Sequence, residues 1–133
     1  MCILNLTQHQ PTNEQSREGV VNLPVVEWGV VKELLTFETL PSIAELQARA
    51  ADIACIAADM ADQADRGDSE GFANFAMIGG APFFMSHLEK ALYDVGINPV
   101  YAFSIRESVE DIGEDGVVIK TNVFKHLGWV APY

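Results

Sequence analysis

Phe72-Ala73-Asn74-Phe75-Ala76-Met77-Ile78-Gly79-Gly80-Ala81-Pro82 is the stretch that decides the fold. An apolar run of strand length stops abruptly at a glycine pair. Beyond it Phe83, Phe84, Leu88, Ala91, Leu92 and Val95 recur at helical spacing, and Gly96 supplies the stop. Pro99-Val100-Tyr101-Ala102-Phe103-Ser104 then reads as a second strand. Strand, glycine turn, helix, glycine, strand is a βαβ unit, which predicts an α/β domain built on parallel strands.

Working outward toward the N-terminus, Cys2 to Leu6 is a short Ile/Leu-rich run, as a buried strand would be. It ends at Thr7-Gln8-His9-Gln10-Pro11, where the proline blocks further pairing. Thr12 and Gln15 have the spacing of a capping box, so a short helix starts there and ends at Gly19. Val20–Leu23 predicts a second strand, and residues 25–37 another helix carrying Trp28, Val31, Leu34 and Leu35. The longest helix is predicted over 42–65, capped by Ser42 with Glu45 closing the box. Its seam is Ile43, Leu46, Ala50, Ile53, Ala57, Met60 and Ala64, with Asp52, Asp59, Asp62 and Asp65 off it. So short a run of small residues predicts packing on a sheet rather than a coiled coil. Gly67 closes the helix and residues 68–71 form a loop.

Toward the C-terminus, residues 105–112 and 117–127 flank Gly113-Glu114-Asp115-Gly116 and predict an antiparallel β-hairpin. The expected architecture is one domain over residues 1–133. It is a three-layer, Rossmann-like α/β fold with a mainly parallel sheet and an antiparallel C-terminal hairpin.

Composition narrows the function without naming it. The 133 residues carry 19 acidic and 8 basic side chains, a formal charge of -11. Long nucleic acids need clustered Lys/Arg, so they are not expected partners. The excess is uneven, -8 over residues 1–71 and -3 over 72–133, and residues 116–133 hold Lys120 and Lys125 with no carboxylate. An anion, if bound, would draw on this strand. No apolar run reaches the roughly 18 residues of a membrane span. The N-terminus lacks the pattern of a signal peptide, and the two cysteines, Cys2 and Cys55, form no CxxC. A cytoplasmic setting is therefore expected, with Cys55 in the core.

In open parallel sheets, ligands bind beyond the carboxyl ends of the strands. Three segments should arrive there: Thr7-Gln8-His9-Gln10, Gly79-Gly80-Ala81 and Ser104-Ile105-Arg106. The glycine pair is either a phosphate cradle at a helix N-terminus or a tight turn, and neither GxGxxG nor a P-loop is present. His9 is either a general base or a loop holder. Arg106 suits a bidentate phosphate contact or an ion pair with Glu107 or Glu110. His87 is expected to be solvated, and His126 alternates with Phe124 on the last strand and can face either way. No metal spacing and no GxSxG nucleophile are present, and no cofactor is implied.

Three of these segments also carry a family likeness. Thr7–Gln15, with His9, Thr12 and Gln15 matching, is similar to the "SHxLTxxQ" opening of the small CRISPR-associated Csx proteins with a CARF-like fold. Gly96-Ile97-Asn98-Pro99-Val100-Tyr101-Ala102 resembles their "G-I-x-P-V-Y-A" strand, and Lys120–His126 their "K-T-x-V-F-K-H" hairpin strand. The chain departs from them at Phe103 and Ile105, which replace a hydroxyl and a lysine, and in its shorter glycine turn. That group includes the stand-alone ring nucleases.

The resemblance implies a homodimer that binds a cyclic oligoadenylate, a small anionic nucleotide, with metal-independent cleavage by a ribose 2′-hydroxyl in some members. Carried onto this chain, it places His9 and Ser104 near the ribose, with Thr7, Gln8, Gly79, Gly80, Arg106 and Lys120 around the phosphates. The alternative is a non-enzymatic interaction module using the acidic helical face. A third reading is a nucleotide- or nucleoside-binding enzyme of another chemistry.

Overall fold

In the computed structural model, which describes residues 2–67 and 74–132, the βαβ unit is the centre of the sheet. Strand β3 (Phe75–Ile78) leads through helix α4 (Pro82–Asp94) to strand β4 (Asn98–Ile112), which lies parallel to it. Pro82 sits in the first helical turn, where its missing N–H costs nothing. Gly96, at φ +81°, makes the left-handed turn that releases the chain from the helix. Outward from β3 lie β1 (Ile3–Leu6) and β2 (Val20–Asn22), both parallel to their neighbours, and β5 (Val118–Val130) pairs antiparallel with β4. The result is a mixed, mostly parallel five-stranded sheet in the order β2-β1-β3-β4-β5.

Alternation along the strands divides the interior in two. Leu4, Leu6, Ala76 and Ile78 face helices α2 (Val25–Leu34), α3 (Ile43–Gly67) and α4, with Phe84, Leu88, Leu92 and Ile53 fully buried among them. Each such side chain contributes about 1.5–3 kcal/mol relative to exposure. Ile3, Val20, Met77 and Val100 form a smaller cluster on the opposite face, with Trp129 packed against it. The layers are thus unequal: three helices serve one face, whereas the five-residue α1 (Asn13–Arg17) lies by β2 and β5. Alone, α1 is too short to persist. It is held by the expected Thr12/Gln15 capping box and by hydrogen bonds that β5 donates to the Glu14 and Glu18 carboxylates.

Several expectations change in detail. The segments 99–104 and 105–112 are one strand, whose start pairs with β3 and whose remainder pairs with β5 alone. Beyond Phe103 the hairpin therefore leaves the sheet as a two-stranded ribbon. Ser42 does cap α3, accepting from Glu45 N, but the Glu45 carboxylate turns to Arg49 at 3.3 Å instead of completing the box. Cys55 is exposed rather than in the core, because it lies about 200° around the helix from buried Ile53. Asp52, Asp59 and Asp62 are on the exposed face of α3. The side chains of Ala64 and Asp65, and residues 68–73, lie outside the described residues. Among the described residues no helix is long and apolar enough to cross a membrane.

Candidate functional site

Strands β1, β3 and β4 run the same way, so their carboxyl ends open on one edge of the sheet. A depression of about 420 Å³ lies there. Its walls are the loop Thr7–Gln10, the glycine pair Gly79-Gly80, Thr12 and Gln15 of the α1 cap, and Tyr101 and Ala102 of β4.

The Thr7–Gln10 loop is fixed from beneath by one buried polar residue in an apolar strand. Asn5 is fully buried. Its amide nitrogen donates to His9 O at 2.8 Å and to Asn22 Oδ1 at 2.9 Å. Its oxygen accepts from Thr7 N at 3.0 Å and from Thr7 Oγ1 at 2.6 Å. Asn22 in turn donates to Gln10 Oε1 at 2.9 Å. From the other side, Trp28 Nε1 donates to Thr7 O at 2.9 Å, and Gln8 Nε2 reaches Thr36 Oγ1 at 2.8 Å. Polar groups that would otherwise compete with a helix or sheet ladder are here mutually satisfied, which holds the loop in one conformation.

That bonding separates the candidate residues. The hydroxyl of Thr7 and the side-chain nitrogen of Gln8 are committed within the protein. The imidazole of His9 is exposed on the wall of the depression, while its backbone is tied to Asn5 and Thr7. Gly80 has φ +153°, and a Cβ built there would meet Met85 Cε at 3.4 Å. At Gly79 a Cβ would meet only Thr7 Cγ2, at an ordinary 3.7 Å. The next helix begins at once, with Ala81 at the N-cap and no side chain capping it. Pro82 has no N–H and Phe84 N donates to Ala81 O at 3.0 Å, so the first turn offers mainly the positive end of the dipole beside the glycines.

Ser104, Arg106 and Lys120 lie elsewhere. Ser104 lines a second depression of about 260 Å³ with Thr12, Asn13, Glu14, Phe124 and His126, so Thr12 is common to both. Arg106 stacks over the Phe124 ring at 5.5 Å, and Lys120 pairs with Glu110 at 3.7 Å far along the ribbon. Neither lines the first depression. Its described walls contain no Lys or Arg, so an anion held there would rest on neutral donors and His9.

His126, on the wall of the second depression, belongs to a clasp absent from the sequence reading. His126 is buried, its Nε2 lies 2.9 Å from Glu18 Oε2, and Trp129 Nε1 donates to the same oxygen at 2.6 Å. The hydrogen bond from His126, opposed by partial desolvation and reinforced by that from Trp129, holds the Glu18 carboxyl below its ordinary range. His126 faces α1 because a bulge at Phe103/Ser104 resets the register of β5. Among the described residues, no cluster of three or more His, Cys, Asp or Glu side chains is placed to hold a metal.

Residues 1–130 match the sequence model of the Uncharacterized protein MJ1673 family. No curated protein and no solved structure matches the chain.

Proposed function

The chain belongs to the MJ1673 family, and we propose that it binds a small anionic nucleotide, a cyclic oligoadenylate, in the depression at the carboxyl edge of β1, β3 and β4. In this reading the domain is a CARF-like, Rossmann-type module of antiviral signalling, and ring cleavage without a metal is its accompanying activity. The observation that carries the reading is the convergence of the Thr7–Gln10 loop, with His9, and Gly79-Gly80 on one depression of about 420 Å³. That volume is at the low end of small-molecule sites, about 300–1,000 Å³, and suits one nucleotide unit rather than a whole ring. The adjoining depression past Thr12, lined by Ser104, gives the next unit a place to extend.

Chemically, such a site needs little more than positioning. Amides at the glycine turn take phosphate oxygens, beside the positive end of the α4 dipole. His9 receives the proton of a ribose 2′-hydroxyl as that oxygen attacks the adjacent phosphorus. The P–O5′ bond breaks, the departing 5′-oxygen takes a proton from water, and a cyclic 2′,3′-phosphate remains. In-line placement and charge stabilisation supply most of such an acceleration. Arg106 and Lys120, on the ribbon, serve the reading only if the ring extends toward Phe124.

Incubation with labelled cyclic tetra- and hexa-adenylate tests it, with retention and linear products both measured. Retention at micromolar concentrations supports the reading, and products that disappear in His9→Ala assign the chemistry. Absence of both retention and products with either ring removes it.

A further inference from the structure

The hairpin beyond Phe103 poses a physical problem unconnected with any ligand. Past Val100 no β3 residue pairs with β4, so most of the ribbon is two strands alone. Such ribbons are marginal in water. Yet this one is long and apolar: of nineteen large hydrophobic side chains exposed among the described residues, eleven lie within 103–130. Register puts Ile105, Val109, Ile119 and Val123 on one face, 39–56% exposed, and Ile112, Val118 and Phe124 on the other, 51–74% exposed. A monomer rarely leaves so concentrated an apolar surface uncovered.

Charge selects the occupant. Arg106, Lys120 and Lys125 balance Glu107, Glu110 and Asp111 on the paired strands, and with Glu114 and Asp115 at the hairpin tip, -9 of the net -11 lies outside residues 104–126. Two copies repel through their bodies, but an antiparallel two-fold meeting of the ribbons sets the acidic tips apart and brings the paired strands, with three charges of each sign, together without net repulsion. Size agrees. Ten residues of strand reach about 34 Å, close to the diameter of a domain with a radius of gyration of about 14 Å. A ribbon that long and ~10 Å wide offers about 340 Å² per face. Both faces together approach the roughly 800 Å² per partner of a stable interface, whereas one face does not.

We propose that the β4–β5 ribbon is a dimerisation arm, buried on both faces against a second copy of this chain. The proposal does not rest on the ligand reading. It is tested on the full-length wild-type chain by light scattering and sedimentation from 1 to 200 μM. A mass near 29 kDa, twice the 14.5 kDa of one chain, is expected. Association should tighten as salt rises, because screening weakens body-body repulsion. Amides of 104–112 and 117–126 should gain hydrogen-exchange protection with concentration. The double variant Ile105→Glu/Val123→Glu, checked for fold by circular dichroism, should raise the dissociation constant at least about a hundredfold. A wild-type chain of 14.5 kDa at 200 μM overturns the proposal. A dimer whose ribbon gains no protection, or which the folded double variant retains at wild-type affinity, overturns it equally.

Discussion

Replacing Asn5 with alanine removes the post on which the candidate loop stands. Four hydrogen bonds converge on that side chain, two donated and two accepted, all between 2.6 and 3.0 Å. At about 1 kcal/mol net each, they sum to about 4 kcal/mol. Part of this is recovered. Asn22 and His9 are exposed and turn to water, and the Thr7 hydroxyl keeps His9 O as a partner at 3.2 Å. The Thr7 N–H, half-buried, recovers least. The expected loss is therefore about 2–3 kcal/mol, or roughly 10 °C in Tm for a domain of this size. Urea unfolding measures it, and an unchanged m-value confirms that the folded state is otherwise intact. The folded variant should also lose ligand affinity, since Thr7 to Gln10 are no longer tethered. A destabilisation below about 0.5 kcal/mol would refute the reasoning, because that is the effect of an ordinary surface substitution.

Other perturbations separate the parts of the site. Gly80→Ala forces a side chain into a left-handed backbone conformation and against Met85. It should cost about 1–3 kcal/mol in thermal or chemical unfolding. Gly79→Ala meets only an ordinary contact, so it should leave Tm within a few degrees while weakening nucleotide retention, measured by filter binding. The lowered Glu18 carboxyl stabilises the fold above its unfolded value, near 4.5, and that contribution is lost as pH falls through the lower folded value. The Tm gap between wild type and Glu18→Gln should therefore be full at pH 6 and close only as pH falls below 4.5 through the lower folded value. A gap that widens in acid would contradict the sign.

The parts of this fold that depend on neighbours in sequence were legible from the start. The strand-glycine-helix-glycine-strand pattern of 75–104, the Thr12/Gln15 box and the turn at 113–116 all arise from local spacing and backbone geometry. The convergence of Thr7–Gln10 with Gly79-Gly80 followed from strand direction alone. What was not legible depends on distance. The bonds of Asn5 to Asn22 and of Trp28 to Thr7 span 17 and 21 residues. The one hint was a polar Asn inside the apolar run Ile3–Leu6. Its place after a strand groups Arg106 with the site and the family likeness adds Lys120, but the length of β4 and β5 carries both onto the ribbon. His126 was ambiguous because its facing is decided by a bulge that no pattern of alternation signals.

The most direct test of the central claim is an amide NMR titration of the labelled protein with cyclic tetra-adenylate. Binding at the carboxyl edge predicts that shifts concentrate at Thr7–Gln10, Gly79–Phe83 and Ala102–Ser104 and saturate together. No shifts at millimolar ligand, or shifts confined to the outer face of α3, would contradict it.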